Sequence, residues 1–213
     1  QKFPGQEYCF QPGAREVEIY VREPVNGINS NTGLMLLLHN WGGTWKQTAS
    51  WCDMLADRYN LITVSVNYLQ SGESKHDQVP YDHGLLQAMD CLRAVYIIRQ
   101  QLQQAGVKWN SRRLYAAGGS GGGNVSAMLN KLAPSSFAVI VDICGMPGLT
   151  DDIAYGRGNL NAGYSRDPAS PKFLTPAMQE IRDPGNLLHL QRQKKVNPSN
   201  KVVIVHGQDD LSC

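Results

Sequence analysis

The sequence predicts an α/β fold, a mostly parallel, doubly wound sheet with helices on both faces. Three observations carry that prediction. Short apolar runs at 34–38, 61–67, 137–145 and 201–205 alternate with helix-period segments. The run at 34–38 is continuously apolar rather than alternating, as a strand covered on both faces must be. Three predicted strand ends carry unusual residues, at 39–45, 118–122 and 206–210. In a parallel sheet the carboxyl ends of the strands are where functional loops gather.

The elements follow in order. Residues 16–22 alternate polar and apolar, the period of a half-buried strand near a sheet edge. Residues 25–33 are turn chemistry, rich in Asn and Gly. After the strand at 34–38, a helix is expected over 48–58 and the next buried strand over 61–67. A polar loop over 70–80 leads to a long helix over 83–104, with Leu85, Met89, Leu92, Tyr96 and Leu102 at roughly helical spacing. Residues 113–117 are the next strand and 125–132 the helix behind it. The strand at 137–145 precedes a segment rich in Pro, Asn, Asp and Gly over 146–198, read as a cap-like insertion over the sheet edge with a short helix at 177–181. The last strand is 201–205. The 213 residues suit one domain, 1–213, that contains this insertion.

Bulk properties exclude several classes. With 42% hydrophobic and 18% charged residues the chain is globular. A net charge of +2 argues against a nucleic-acid or anionic-membrane partner, and no apolar run approaches a membrane span. Five cysteines without a Cys-x-x-Cys spacing do not make a zinc motif. Cys52, Cys91 and Cys144 are expected as buried free thiols, with Cys9 and Cys213 left open to a disulfide. No feature calls for a cofactor or a metal. The low charge with many Asn, Gln, Ser and Gly leans towards an exported protein, secreted or periplasmic.

The densest signal is Gly118-Gly119-Ser120-Gly121-Gly122-Gly123-Asn124 between a predicted strand and a predicted helix. Gly118-x-Ser120-x-Gly122 fits the Gly-x-Ser-x-Gly nucleophile elbow. A strand that turns sharply into a helix crowds the positions two before and two after the serine, and glycine removes the clash. The turn lifts the hydroxyl above the sheet edge and aims the first helix amides at whatever the serine attacks. A flexible linker would not sit between buried elements. A phosphate loop would end in Gly-Lys-Ser/Thr, where this chain has Gly123-Asn124-Val125.

With these residues in hand, the chain resembles the α/β-hydrolases, in their esterase and prolyl-oligopeptidase-like branches, over nearly all of residues 15–213. The resemblance implies the following roles. Ser120 is the nucleophile. Leu38-His39-Asn40-Trp41-Gly42-Gly43 is similar to the His-Gly-x-Gly loop after the third strand, which gives one oxyanion-hole amide, and Gly121 gives the other. Asn40 stands where the family has glycine, which leaves Trp41 and Gly42 both open as the donor. His206-Gly207-x-x-Asp210 resembles the loop that carries the triad acid, with Asp210 as the acid and Asp209 as the alternative. Asp142, inside a strand pattern, is expected to make a structural hydrogen bond. Trp41, Trp45, Tyr68 and Tyr155 are candidate pocket walls.

The pattern breaks at the base. In this family the histidine follows the acid, and all five histidines (39, 76, 83, 189 and 206) precede Asp210. His39 and His206 are loop-positioning residues in the family, His76 and His83 are expected at the surface, and His189 could serve only by an order the family does not use. The expectation is an amino-terminal portion of a hydrolase, without a final helix, an eighth strand, the histidine loop and a closing helix. The implied function is a serine hydrolase cleaving carboxylic esters of a short acyl group or a carbohydrate. A serine peptidase of the same fold and a non-catalytic binding protein are the alternatives.

Overall fold

The computed structural model describes residues 1–72, 78–146 and 148–210. Its strands are β1 (Lys2–Pro4), β2 (Glu16–Arg22), β3 (Gly33–Leu38), β4 (Leu61–Asn67), β5 (Leu114–Gly119), β6 (Val139–Ile143) and β7 (Lys201–Val205). They form one sheet in the order β1-β2-β4-β3-β5-β6-β7. The pairs β1–β2 and β2–β4 are antiparallel, and every other neighbouring pair is parallel. The helices are α1 (Ala49–Tyr59), α2 (Leu85–Gln104), α3 (Gly121–Leu132), α4 (Asp151–Ala154), α5 (Pro176–Arg182) and α6 (Leu188–Arg192).

The order of the strands positions the site. The chain leaves β3 for β4 on one side, then crosses back through α2 to β5 on the other side of β3. Connections therefore diverge between β3 and β5, and the crevice at their carboxyl ends is the topological switch point where open α/β sheets bind ligands. Trp41 and Ser120 lie at those two ends.

One sheet face is closed. Leu34, Leu36, Ile62, Val64, Ala116 and Ile140 pack with Ala88, Cys91, Val95 and Ile98 of α2 and Val125, Met128 and Leu129 of α3, all buried. The opposite face carries α1, and it opens towards β6 and β7. Tyr115, Ala117, Val139 and Val141 are half-buried there, Ile143 is exposed, and all five residues of β7 are exposed at the sheet edge.

The segment between β6 and β7 builds a second apolar cluster around Tyr81, Leu149, Ala154, Tyr164 and Leu174. Buried polar bonds tie it to the sheet body. Arg182 Nε lies 3.3 Å from Asp82 Oδ1, Tyr164 donates its hydroxyl to the Tyr81 carbonyl (2.8 Å), and Lys131 Nζ donates to the carbonyls of Glu180 and Asp183 (2.7 Å each).

Several expectations need correction. His83 is fully buried, not at the surface, because it sits in the turn that drives α2 into the core. β6 stops at Ile143, because Cys144 takes a left-handed φ of 53°. Cys144 is consequently half-buried rather than buried, while Cys52 and Cys91 are buried free thiols as expected and Cys9 is an exposed one. Helix α3 begins at Gly121 rather than 125, since the hydrophobic period becomes visible only at Val125. His76 and Cys213 lie outside the described residues. No described helix is long and apolar enough to cross a membrane.

Candidate active site

β5 ends at Gly119 and α3 starts at Gly121, so Ser120 alone makes the turn. Its backbone, φ 51° and ψ −122°, lies where non-glycine residues are rarely found. The turn is held on both sides. Ser120 donates its amide to the Ile143 carbonyl (2.8 Å), and its own carbonyl accepts from the amides of Gly123 and Asn124 (2.8 and 3.2 Å). Its side chain is exposed.

The flanking glycines are required by space. A Cβ on Gly118 would lie 2.3 Å from the Gly122 carbonyl oxygen, and one on Gly122 would lie 2.4 Å from the Leu38 carbonyl oxygen. Such approaches bring the end of β3 directly against the first turn of α3. A Cβ on Gly121 would stand 2.7 Å from the Trp41 amide nitrogen. Of the two candidate amides in that loop, Trp41's is therefore the one beside Gly121, whose own amide is one of the first-turn donors a helix leaves unpaired. Gly42, with φ 70°, makes the turn that presents it.

Two aromatic pairs support this loop. The Trp41 ring stacks on buried Tyr81, centroids 3.8 Å apart. Behind it, His39 stacks on Tyr68 at 4.0 Å, and the Tyr68 hydroxyl donates to the His39 carbonyl. His39 Nδ1 donates to the Asn40 carbonyl (2.8 Å), so its Nε2 accepts from the Ser71 hydroxyl (2.7 Å). Burial lowers the His39 pKa to about 4, which keeps the ring neutral and fixed.

The acid candidate lies across β6. Asp210, after β7, has its carboxylate 3.8 Å from His206 Nδ1, and His206 Nε2 donates to the Gly145 carbonyl (2.9 Å). Asp209 is exposed. Asp142 accepts the Gly145 amide (2.9 Å), the structural bond expected of it. Asn124 of α3 accepts the Met146 amide (2.5 Å). Ser120, Gly121 and Trp41 are thus brought together, and Asp210 stands on the same sheet edge. None of the described histidines hydrogen-bonds to Ser120; the His189 ring on α6 bonds to neither Ser120 nor Asp210.

The expected pocket walls divide. Trp45 turns away, stacking on Tyr20 at 4.8 Å and donating to Glu18. Tyr68 is packing under His39. Tyr155 packs in the same cluster as Trp41 and lies beneath the Arg166 guanidinium. Beside the elbow lies a groove of about 540 Å³, lined by Leu37, Asn40, Trp51, Gly118, Gly119 and Ile143 among others. Sequence reasoning missed Trp51, which read as one face of α1, and Tyr81, which no motif marks.

No protein-family model matches the chain, and no curated protein matches it by sequence. Solved structures do match. An arylesterase aligns with a TM-score of 0.52 at 15% identity, covering 90% of this chain and 72% of that one. A fungal esterase from Rhizomucor miehei gives 0.54 at 15%, covering 100% and 76%. A putative dipeptidyl aminopeptidase IV from Bacteroides ovatus gives 0.57 at 13%, covering 96% of this chain but 32% of that one. At such identities the likeness is one of fold.

Proposed function

From the α/β-hydrolase fold that this chain adopts, we propose that it is a serine hydrolase acting on carboxylic esters, of a short acyl group or a carbohydrate. The observation that carries the reading is the strained Ser120 turn with the Trp41 amide packed against Gly121. Ser120 Oγ attacks the acyl carbonyl as a histidine base takes its proton, since a serine hydroxyl is a weak nucleophile without one. The amides of Gly121 and Trp41 hold the tetrahedral oxyanion, each worth about 3 kcal/mol of barrier. Collapse expels the alcohol, protonated by the same histidine, and water then cleaves the acyl-enzyme by the reverse sequence. Asp210 orients the base, a histidine beyond residue 213.

Esters and peptide amides separate the two enzyme readings. A p-nitrophenyl acetate, an acetylated sugar and a peptide p-nitroanilide are offered to protein that extends past residue 213. Ser120-dependent turnover of the esters with little amide cleavage is expected. Preferential cleavage of the anilide makes the protein a peptidase, and no turnover of any leaves a binding protein.

A further inference from the structure

Helix α2 hides two polar residues that the proposed catalysis leaves unused. Gln87 and Asp90, three positions apart on one face, are almost fully excluded from solvent. Packing a helix on a sheet gives no reason to turn such a face inward. Apolar groups of similar volume commonly replace a buried ion pair at no cost in stability. What only these two side chains supply is a fixed set of hydrogen bonds, and both aim at one segment.

That segment is 68–72, which follows β4. Asp90 Oδ2 accepts the Leu69 amide (3.0 Å), and Gln87 donates its Nε2 to the Leu69 carbonyl (3.1 Å). One face of α2 therefore takes both backbone groups of Leu69. Arg15 completes the clamp. Its Nη2 donates to both Asp90 oxygens (2.8 and 2.6 Å), and its Nε donates to the Gln6 carbonyl. The guanidinium neutralises the buried carboxylate and fixes its rotation, which keeps Oδ2 on the Leu69 amide. Gln70 ties the same segment to the residues on either side of Tyr81. It gives its Nε2 to the Pro80 carbonyl (2.9 Å) and takes the Asp82 amide on Oε1 (3.0 Å).

The clamped segment in turn carries the 39–43 loop. Tyr68 stacks on His39 and donates to its carbonyl, and Ser71 donates to its ring. The Gly72 amide donates to the Gly43 carbonyl (2.8 Å). Trp41 lies between those two attachments.

We propose that Asp90 is a positioning residue for the Trp41 amide, acting with Arg15 through Leu69 and the 68–72 segment. A donor fixed before the reaction is what an oxyanion hole requires. The effect on catalysis rests on the hydrolase reading, whereas the hold on the loop does not.

Hydrogen–deuterium exchange and turnover of p-nitrophenyl acetate test this on protein that extends past residue 213. Asp90→Asn keeps the shape without the charge. Arg15→Lys keeps the charge without the guanidinium's several donors, and it carries the test alone should Asp90→Asn not fold. In each variant segment 39–43, which neither substitution touches, should exchange at least about tenfold faster, with residues 125–132 of α3 unchanged. The kcat should fall about tenfold with KM within about twofold of the parent's. The double variant should lose no more than the worse single one, because the pair acts as a unit. Exchange at 39–43 as slow as the parent's overturns the proposal. So does equal acceleration in α3, which is a general loss of stability, and so do additive losses in the double variant. A loosened loop with kcat unchanged overturns the effect on catalysis. A parent without Ser120-dependent turnover removes the hydrolase reading, and faster exchange confined to 39–43 and 68–72 still upholds the hold on the loop.

Discussion

The rings of Trp41 and Tyr81 stack nearly in parallel, 13° apart, and the Tyr81 hydroxyl stands 3.0 Å from where a side chain on Gly121 would begin. One buried ring therefore braces both of the backbone segments proposed to hold the oxyanion. Donors of that kind work by being fixed before the reaction. Tyr81→Ala is expected to lower kcat for an ester by about tenfold to hundredfold with KM little changed, the loss expected when positioning slackens. Tyr81→Phe keeps the stack and should keep most of the rate. Equal losses in the two variants would assign the effect to the hydroxyl instead.

Gly122 is the tightest contact between β3 and α3. Gly122→Ala places a methyl 2.4 Å from a backbone oxygen that cannot swing aside. The expected loss is about 3 kcal/mol, at the upper end of overpacking costs. Gly158→Ala, where nothing lies within 4 Å, is the control and should change stability by less than about 0.5 kcal/mol. Urea midpoints compare them, and an unchanged Gly122→Ala would mean that β3 and α3 do not meet as described.

Two buried histidines predict acid sensitivity. Burial lowers His39 and His83 to about 4 each from the ordinary 6.5. Between those values the unfolded chain binds protons that the folded one refuses, so stability is full above about 6.5 and is lost as pH falls towards 4. Each histidine contributes roughly 3 kcal/mol to that loss. Asp82, which burial raises to about 6, opposes it over part of the window. Asp90 and Asp142, which burial also raises, oppose it further, so the histidine contribution is read as the difference between the parent and a histidine variant. Denaturant midpoints across that range read the slope, which His83→Gln should flatten; an equal slope in the variant would place His83 in water.

The Asp82–Arg182 pair joins α5 to the start of α2, with both side chains nearly excluded from solvent. Burial is the larger influence on Asp82, and the guanidinium partly offsets it. Arg182→Met leaves only the Leu86 and Gln87 amides to oppose burial. The Asp82 pKa should then climb beyond 6, and stability at neutral pH should drop by about 3–5 kcal/mol. Because a raised carboxyl favours folding only while protonated, the variant should keep losing stability as pH rises past 6, where the parent levels off. Parallel pH profiles would mean that the pair does not form in solution.

The sheet was legible where burial was complete. The continuous apolar runs that became β3 and β4 have no alternative but the core, and Gly118, Gly121 and Gly122 around Ser120 are explained by backbone contacts under 3 Å. The short elements were not legible. β1 buries only Phe3, and α4 and α6 span four and five residues, too few to show a period. His83 misled because a lone histidine beside a polar loop gives no sign that the next residue, Gly84, takes a φ of 105° and turns the chain inward. Tyr81 and the His206 bond to the Gly145 carbonyl depend on contacts between distant segments, which spacing along one segment does not record.

The proposed hydrolysis stands on Ser120 as an activated nucleophile. Intact-mass spectrometry before and after exposure to a fluorophosphonate, with Ser120→Ala beside the parent, tests it most directly. One covalent adduct is expected on protein that extends past residue 213, absent from Ser120→Ala. An unlabelled parent, or an adduct that survives in Ser120→Ala, would contradict it.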